Sequence, residues 1–344
     1  MQVVKRHWFL FGLLLLIPLG FSIGPTPIGD TVEPILKQLP AAWCTAAILF
    51  LMSFTLDSRR LLDSLKRPMP VIFSCVVNQL FIPLLSVPLL LLQKSPDMMV
   101  GLLIVGSVPC TMAAASVWTR RAGGNDAVSL LVTLVTNGLC FVITPAWLAA
   151  GSQWLGTARP ADGLEFGAMV QALTLAALIP AIGGQSLRLW QKGRLFADER
   201  KPLLGVAAQS IILLLVFVSA FRGGRRFSEN DVSNNLRHGE FAFAWACCVF
   251  MHLTAMVVAW WGSGAAGFSE DDRRACVMAG SQKTLPIGIL VSQSTGMPLS
   301  LLPMLMYHAS QLFVDTWVAD WLTRRTADTS ERQPETQTAA ASDR

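Results

Sequence analysis

Apolar runs of about twenty residues follow one another along this chain, with only short polar connectors between them. A helix of that length is long enough to cross the hydrocarbon core of a bilayer. The runs predict ten transmembrane helices, called spans 1 to 10, at residues 8–24, 40–56, 69–92, 98–118, 126–150, 166–187, 203–221, 240–261, 275–294 and 298–322. We therefore expect an all-α integral membrane protein with one polytopic transmembrane domain at 1–325.

The composition favours a membrane domain over a soluble one. Of the 344 residues, 53% are hydrophobic and 14% are charged, whereas an average soluble domain carries about 25% charged residues. The net charge of +5 could indicate nucleic acid binding, but Lys and Arg are spread over the connectors and form no single basic face. The expected partners are the lipid bilayer, a small-molecule solute and a coupling ion, Na⁺ or H⁺. Nucleic acid is not expected, and the oligomeric state is left open.

The first apolar run follows Lys5 and Arg6, as the apolar part of a signal peptide would. It has no small-x-small cleavage pattern and many further spans follow, so we expect it to remain as span 1, with cleavage as the alternative. The seven Cys lie mostly inside apolar runs without a C-x-x-C motif. We expect reduced thiols, no metal centre and no other cofactor.

Basic residues cluster in alternate connectors, and cytoplasmic connectors are the ones enriched in Lys and Arg. With the N-terminus inside, nineteen basic residues are cytoplasmic and seven are outside. Four of those seven fall in one connector, between spans 7 and 8: Arg222, Arg225, Arg226 and Arg237. The pattern predicts a multi-pass protein of a bacterial inner membrane with both termini cytoplasmic, ending in a disordered tail at 326–344.

Ten spans divide into two sets of five, at about 8–150 and 166–322, and an odd number per half makes the second half cross in the opposite sense. Span 4 contains Gly106-Ser-Val-Pro109-Cys-Thr-Met, and span 9 contains Gly280-Ser-Gln-Lys-Thr-Leu-Pro286-Ile-Gly288. Because Pro removes a backbone donor, we expect helix breaks around Pro109, Gly280 and Pro286. Interrupted helices at matched positions point to a transport site, although Pro and Gly are also common in membrane helices without such a role.

Lys283 lies near the middle of span 9, where a Lys costs about 2.5–3.5 kcal/mol on insertion scales unless it faces a polar cavity. We expect it to act in transport. The alternative is a structural Lys that pairs with a carboxylate, for which Asp315 is the candidate, or with carbonyls at a helix C-terminus. Asp126 is expected to be a helix N-cap before it is a site residue. His308 could shuttle protons, but His308 and His252 are each expected to make an ordinary interhelical hydrogen bond.

At the two interrupted spans the chain resembles the bile acid:sodium symporter superfamily, in its SBF-like CPA transporter branch. The resemblance covers nearly the whole chain. Its most specific pieces are Val108-Pro-Cys-Thr-Met-Ala-Ala-Ala-Ser116, Arg121-Ala-Gly-Gly-Asn-Asp126, Thr144-Pro145, Gly280-Ser-Gln-Lys-Thr-Leu-Pro-Ile-Gly288 and Tyr307-His308. It implies ten helices in two inverted five-helix repeats, a panel domain and a core domain, and discontinuous fourth and ninth helices that cross.

The resemblance also implies a sodium site, from which this chain departs. Four residues match sodium-ligand positions of the family: Gln79, Ser129, Thr133 and Gln282. The family's Ser-Asn pair at the span 4 break reads Ala115-Ser116, its ligand Glu falls on Met278, and an Asn becomes Lys283. The loss of a carboxylate and the gain of an ammonium weaken binding of a hard cation. The candidate binding residues are therefore Gln79, Ser116, Ser129, Thr133, Gln282 and Lys283.

We expect a secondary active transporter of a small organic anion or related solute that works by alternating access. In this hypothesis protonated Lys283 stands in for the missing cation, and coupling is to protons or absent, since a Lys in an apolar setting can lose its proton near neutral pH. One alternative is a sodium-coupled symporter that keeps the residual site. Another is a membrane regulator of ion influx or cell-envelope processes that carries no solute. H-E-x-x-H, G-x-S-x-G and Walker motifs are absent, so neither an enzyme nor an ATP-driven pump is expected.

Overall fold

A computed structural model describes residues 8–56, 68–112, 114–154, 166–229 and 238–331. This part of the chain is mostly helical and contains no strands. In chain order its helices are α1 Trp8–Ile23, α2 Pro27–Lys37, α3 Ala41–Phe54, α4 Pro68–Leu91, α5 Pro96–Ser107, α6 Ala114–Arg121, α7 Asp126–Trp154, α8 Phe166–Leu189, α9 Gln191–Glu199, α10 Lys201–Glu229, α11 His238–Ala265, α12 Glu270–Ser281, α13 Leu285–Ser294 and α14 Leu301–Glu331. A π-helical turn widens α4 at Val77–Phe81 and α8 at Thr174–Leu178.

Five of the described helices are long and apolar enough to cross a membrane: α4, α7, α8, α10 and α11. A sixth candidate is the pair α1 and α2, which is bent by 112° at a short break. The other apolar runs form shorter or more polar helices. α3 has 14 residues, spans 4 and 9 are each divided into two helices, and α14 includes several polar and charged residues. Length and composition of the described helices thus give five or six candidate spans, where the apolar runs predict ten.

Span 7 is longer than predicted. α10 continues to Glu229, so Arg222 and Arg225 lie in helical turns and not in a connector. The helix persists because Arg has a high helix propensity and because Arg225 bonds to the acidic residues of α2. Its guanidinium lies 2.8 Å from the carboxylate of Asp30 and 3.4 Å from that of Glu33.

The predicted disordered tail begins inside a helix. α14 extends to Glu331, so residues 326–331 are helical. Several basic residues used to predict the orientation lie outside the described residues, as does the rest of the tail at 332–344: Lys5, Arg6, Arg59, Arg60, Lys66, Arg67, Arg159, Arg237, Arg332 and Arg344.

The long helices pack as two groups. α1, α3, α8 and α10 pack mainly against one another, and α4 to α7 pack with α11, α12 and α14. Glycines bring α1 and α10 into backbone contact, since a Cβ on Gly20 of α1 would lie 2.9 Å from the main-chain oxygen of Phe217. The short helix α13 contacts both groups, through α3 and α10 on one side and α5 and α14 on the other.

Large apolar side chains cover much of the outer surface of both groups. Trp43 on α3 is 76% exposed, and Trp261 and Trp317 of the other group are 72% and 69% exposed. An apolar exterior of this extent is unusual for a protein dissolved in water. It fits a chain whose helices face lipid.

Candidate functional site

The two interrupted helices meet at their breaks. Pro109 lies in the non-helical segment between α5 and α6, and residues 282–284 separate α12 from α13. The main-chain N–H of Thr284 donates to the carbonyl oxygen of Pro109 at 2.9 Å. Gly280 is in the last turn of α12, and Pro286 is in the first turn of α13, where its missing N–H costs no helical hydrogen bond. The two breaks therefore form one buried crossing.

Side chains of α7 supply hydrogen bonds for the backbone of the first break. Groups at a helix end have no partner within the helix, and lipid cannot provide one. The Thr144 hydroxyl donates to Ser107 O at 2.9 Å, the Asn137 amide donates to Cys110 O at 2.7 Å, and the Thr133 hydroxyl donates to Thr111 O at 3.2 Å. α7 thus holds the non-helical segment in place.

Lys283 lies at the centre of the crossing and is fully buried. Its Nζ donates to three main-chain carbonyl oxygens, those of Asn78 at 2.6 Å, Gly106 at 2.7 Å and Val108 at 2.9 Å. We call these three oxygens the carbonyl cage. Two of them belong to the last turn of α5 and the residue that follows it, where unpaired carbonyls and the helix dipole favour a positive charge.

Of the two partners considered for a structural Lys283, the structure shows carbonyls at a helix C-terminus and not the carboxylate of Asp315. Asp315 lies on α14, where one of its carboxylate oxygens is 3.0 Å from Nε2 of His252 on α11. The other oxygen accepts a hydrogen bond from the side-chain amide of Gln282. All three side chains are fully buried. His252 is therefore half of a buried acid–base pair, which is more than the ordinary hydrogen bond predicted for it.

Two amide side chains that the motifs do not reveal hold the second break. The Asn78 amide donates to Gln282 O at 2.8 Å and Gly280 O at 3.2 Å. Gln311 bonds to both main-chain groups of Lys283, accepting from its N–H at 3.0 Å and donating to its carbonyl at 3.1 Å. The sequence feature that could have indicated them is an amide side chain inside an apolar run. Burying such a side chain costs free energy unless its hydrogen bonds are satisfied.

The four residues that match sodium-ligand positions do not bond to one another in the described part of the chain. Ser129 and Thr119 share a hydrogen bond of 2.6 Å between their hydroxyls, and Thr133 bonds to Thr111 as above. The Gln79 amide donates to the Asn78 side chain at 3.3 Å, and Gln282 bonds to Asp315. The side-chain oxygens of Gln79 and Gln282 are buried and have no hydrogen-bond partner among the described residues.

The remaining candidate residues are Ser116, His308 and Asp126. Ser116 is buried in α6, and Nδ1 of His308 is 3.0 Å from the Gln311 amide on its own helix. The predicted N-cap is displaced by one residue, because α7 begins at Asp126 and the side chain of Asn125 accepts from the N–H of Ala127 at 3.2 Å. An Asn accepts this bond as well as an Asp does. Asp126 instead lies 3.1 Å from Nε of Arg120.

The chemistry of the crossing is that of a cation held by oxygen atoms beside a buried acid–base pair. Among the described residues, no group of three or more His, Cys, Asp or Glu side chains could hold a metal ion. All seven Cys are free thiols. Carbonyl oxygens bind an ammonium or a hard metal cation, and a His–Asp pair can accept or release a proton.

Comparisons with known proteins cover both interrupted helices. The family model of the SBF-like CPA transporter family matches residues 7–324. Sodium/bile acid cotransporter 7-B of Xenopus laevis is 23% identical over 353 residues, which cover 97% of this chain and 98% of that protein. Sodium/bile acid cotransporter 7 of Danio rerio is 24% identical over 323 residues, 90% of this chain and 92% of that protein. An uncharacterized protein of Pseudomonas aeruginosa is 29% identical over 274 residues, 75% and 76% of the two chains.

Proposed function

Because the chain belongs to the SBF-like CPA transporter family, we propose that it is a secondary active transporter that moves a small organic anion or related solute by alternating access. In this proposal the helix pairs α5–α6 and α12–α13 are each one broken span. Together with α1, α3, α4, α7, α8, α10, α11 and α14 they make ten spans in two inverted repeats. The two packed groups of helices move against each other around the crossing.

The carbonyl cage around Lys283 is the observation that carries this proposal. Three carbonyl oxygens within 2.9 Å of one Nζ supply the kind of ligands that a hard cation takes. The ammonium occupies that position as part of the chain. A mobile cation could not bind at the same place, because the ammonium of Lys283 already occupies the carbonyl oxygens and its positive charge repels another cation. The proposed transporter therefore does not require sodium.

Proton coupling fits the same geometry. Gln282 connects the two ionisable centres, since its side chain bonds to Asp315 and its main chain leads directly into Lys283. If Lys283 releases its proton, the cage loses a positive charge, and the end of α5 is held less firmly to the second break. A proton that arrives at the His252–Asp315 pair changes the charge next to this contact. We propose that these changes bias the crossing between two arrangements.

Sodium-coupled symport is the second candidate, and it has its own observation. The side-chain oxygens of Gln79 and Gln282 have no hydrogen-bond partner in the described part of the chain, and both residues match sodium-ligand positions. Two of the relatives are named sodium/bile acid cotransporters. In this alternative the sodium ion binds beside Lys283. Its ligands include the side-chain amide oxygens of Gln79 and Gln282, which are neutral.

Uptake by purified protein in proteoliposomes separates the two candidates. A panel of labelled organic anions is presented under an imposed sodium gradient, an imposed proton gradient, or neither, with choline replacing sodium. We expect accumulation that survives complete removal of sodium and that a protonophore reduces when the proton gradient is the only driving force. Liposomes without protein are the control. A strict requirement for sodium would contradict the proposal, and the absence of accumulation for every solute would favour a regulatory role.

A further inference from the structure

A cavity of about 320 Å³ lies where the last turns of α10 meet the C-terminal ends of α2 and α13. This volume is at the lower end of the range of about 300–1,000 Å³ that is typical of small-molecule sites. The cavity lies away from the carbonyl cage. Lys283 lies two residues before the start of α13, whereas the cavity lies at the last turn of α13, about 15 Å further along the chain direction of the helix.

Positive charge predominates in the lining of this cavity. Three cationic side chains border it, Lys37, Arg222 and Arg225, against the carboxylate of Glu33 in the lining and that of Asp30, which lies 2.8 Å from Arg225. Lys37 and Arg225 both bond to Glu33, at 2.9 Å and 3.4 Å. The C-terminal ends of two helices add only partial negative charges. The balance of charge favours an anion.

Arg222 forms no ion pair with an acidic side chain of the described residues, so its guanidinium can bind an anion. Its side chain is half-buried, and among the described residues it makes one hydrogen bond, a long contact of 3.5 Å from Nη2 to the main-chain oxygen of Leu36. Within the described ranges no carboxylate lies within ion-pair distance of it. A guanidinium presents several donors in a planar fork that matches a carboxylate.

Two neutral groups at the cavity also lack partners. Ser219 and Gln293 border the cavity, and the Ser219 hydroxyl and the Gln293 side-chain nitrogen are buried without a hydrogen-bond partner in the described part of the chain. Buried donors of this kind are rare in folded proteins and call for an explanation. A ligand with acceptor oxygens would supply the missing partners.

We propose that this cavity binds the carboxylate of a small organic anion, with Arg222 as the main anion-binding residue and Ser219 and Gln293 as hydrogen-bond donors. This deepens the proposed function, because it gives a transporter of organic anions a second site at one end of the bundle. The position suits that role, because the cavity is bordered by both packed groups: α10 belongs to one group, and Leu301 belongs to α14 of the other.

Binding to the purified full-length chain tests the cavity without relying on transport. Benzoate, succinate and glutarate are titrated by thermal shift and calorimetry, each against its neutral amide, which has nearly the same size. We expect at least one carboxylate to bind and its amide not to bind. Arg222→Gln should weaken that binding about tenfold or more, since it removes a charge-assisted contact. Arg222→Lys keeps the charge and should lose less.

A matched control is Arg194→Gln on α9, beside the opposite end of α10, which makes the same change of charge and should bind like wild type. If Arg222→Gln does not fold, Gln293→Leu and Ser219→Ala keep every charge and should still weaken binding. The proposal is overturned if no carboxylate is distinguished from its amide, or if Arg222→Gln binds as wild type does. It is also overturned if the only response that depends on Arg222 is to phosphatidylglycerol in nanodiscs, because the anion would then be a lipid headgroup.

The outcomes separate this site from the proposed function. Anion binding that depends on Arg222, without accumulation in proteoliposomes, would leave the cavity standing and reject the transporter. Accumulation with an unchanged KM in Arg222→Gln would reject the cavity and leave the transporter standing.

Discussion

At the scale of single residues, Lys283 illustrates how a buried ammonium is tolerated far from water. An unpaired charge in a low-dielectric interior is very costly. Here each of the three donors of the ammonium has an acceptor at 2.6–2.9 Å, and the acceptors lie at a helix end that favours positive charge. The same contacts tie α4 and the end of α5 to the second break. The transport role that we propose for Lys283 would therefore depend on the same atoms as its role in local structure.

Lys283→Met separates the two roles, because Met has a similar length and volume but no charge or donors. We expect the variant to be inserted and to fold with a lower Tm, because it removes a buried charge but leaves the three carbonyl oxygens of the cage without the ammonium donor. Uptake should fall to background, because the cage has no cation and the crossing loses its proton-dependent contact. Uptake is measured in proteoliposomes, and folding by size-exclusion chromatography and thermal unfolding. Lys94→Met, on an exposed connector, is the matched control and should transport normally.

Wild-type uptake by Lys283→Met would show that the ammonium is structural only. A variant that aggregates would not decide the question by itself, so Lys283→Arg is compared in parallel. Arg keeps the positive charge but does not lose its proton in proteins. A folded Lys283→Arg variant should therefore stop proton-driven uptake while it keeps the charge at the crossing.

At the scale of elements, α7 acts as a scaffold for the break between α5 and α6. Its Thr and Asn side chains supply the donors that a continuous helix would supply through its own backbone. An interrupted helix survives in an apolar environment only if its freed carbonyls and N–H groups find such partners. The shape of the break is thus set by a neighbouring helix as much as by Pro109.

Thr144→Val tests this scaffold with a change of nearly constant shape. The valine leaves Ser107 O without the 2.9 Å hydrogen bond, so we expect a loss of about 0.5–1.5 kcal/mol in stability and a lower Tm. Thr174→Val in α8 is the matched control, because the Thr174 hydroxyl bonds, among the described residues, to Val170 O alone, one turn earlier in its own helix. Equal Tm values for the two variants would contradict a scaffolding role for Thr144.

The positions of the breaks could be predicted from sequence, but most of their contacts could not. Pro109 and the Gln282-Lys283 pair are local signals, because proline chemistry and a Lys within an apolar run are visible in the chain itself. The pairing of Asp315 with His252 depends on how α11 packs against α14, over 63 residues of separation. Apolar periodicity does not encode that packing. Asn78 and Gln311 were missed for the same reason, since an amide in an apolar run does not reveal its partner.

At the scale of the whole molecule, the number of crossings depends on whether the broken pairs traverse the membrane. α7 and α8 are each long and apolar enough to cross once. α5 and α6 are too short to cross individually, and they either make one crossing together or return to the side on which they began. The inverted-repeat arrangement requires one crossing. The two possibilities differ in the number of crossings between two exposed lysines, Lys94 after α4 and Lys192 in α9.

Cysteine labelling of intact cells answers that question. If α5–α6 crosses once, three crossings separate Lys94 from Lys192, and the two residues lie on opposite sides. We expect Lys94→Cys to react with a membrane-impermeant maleimide from outside, and Lys192→Cys to react only after permeabilisation. The native thiols are buried or half-buried, and the wild-type chain gives their background. Equal labelling of both variants from one side would mean that α5–α6 does not cross, and it would remove the basis for two inverted sets of five spans.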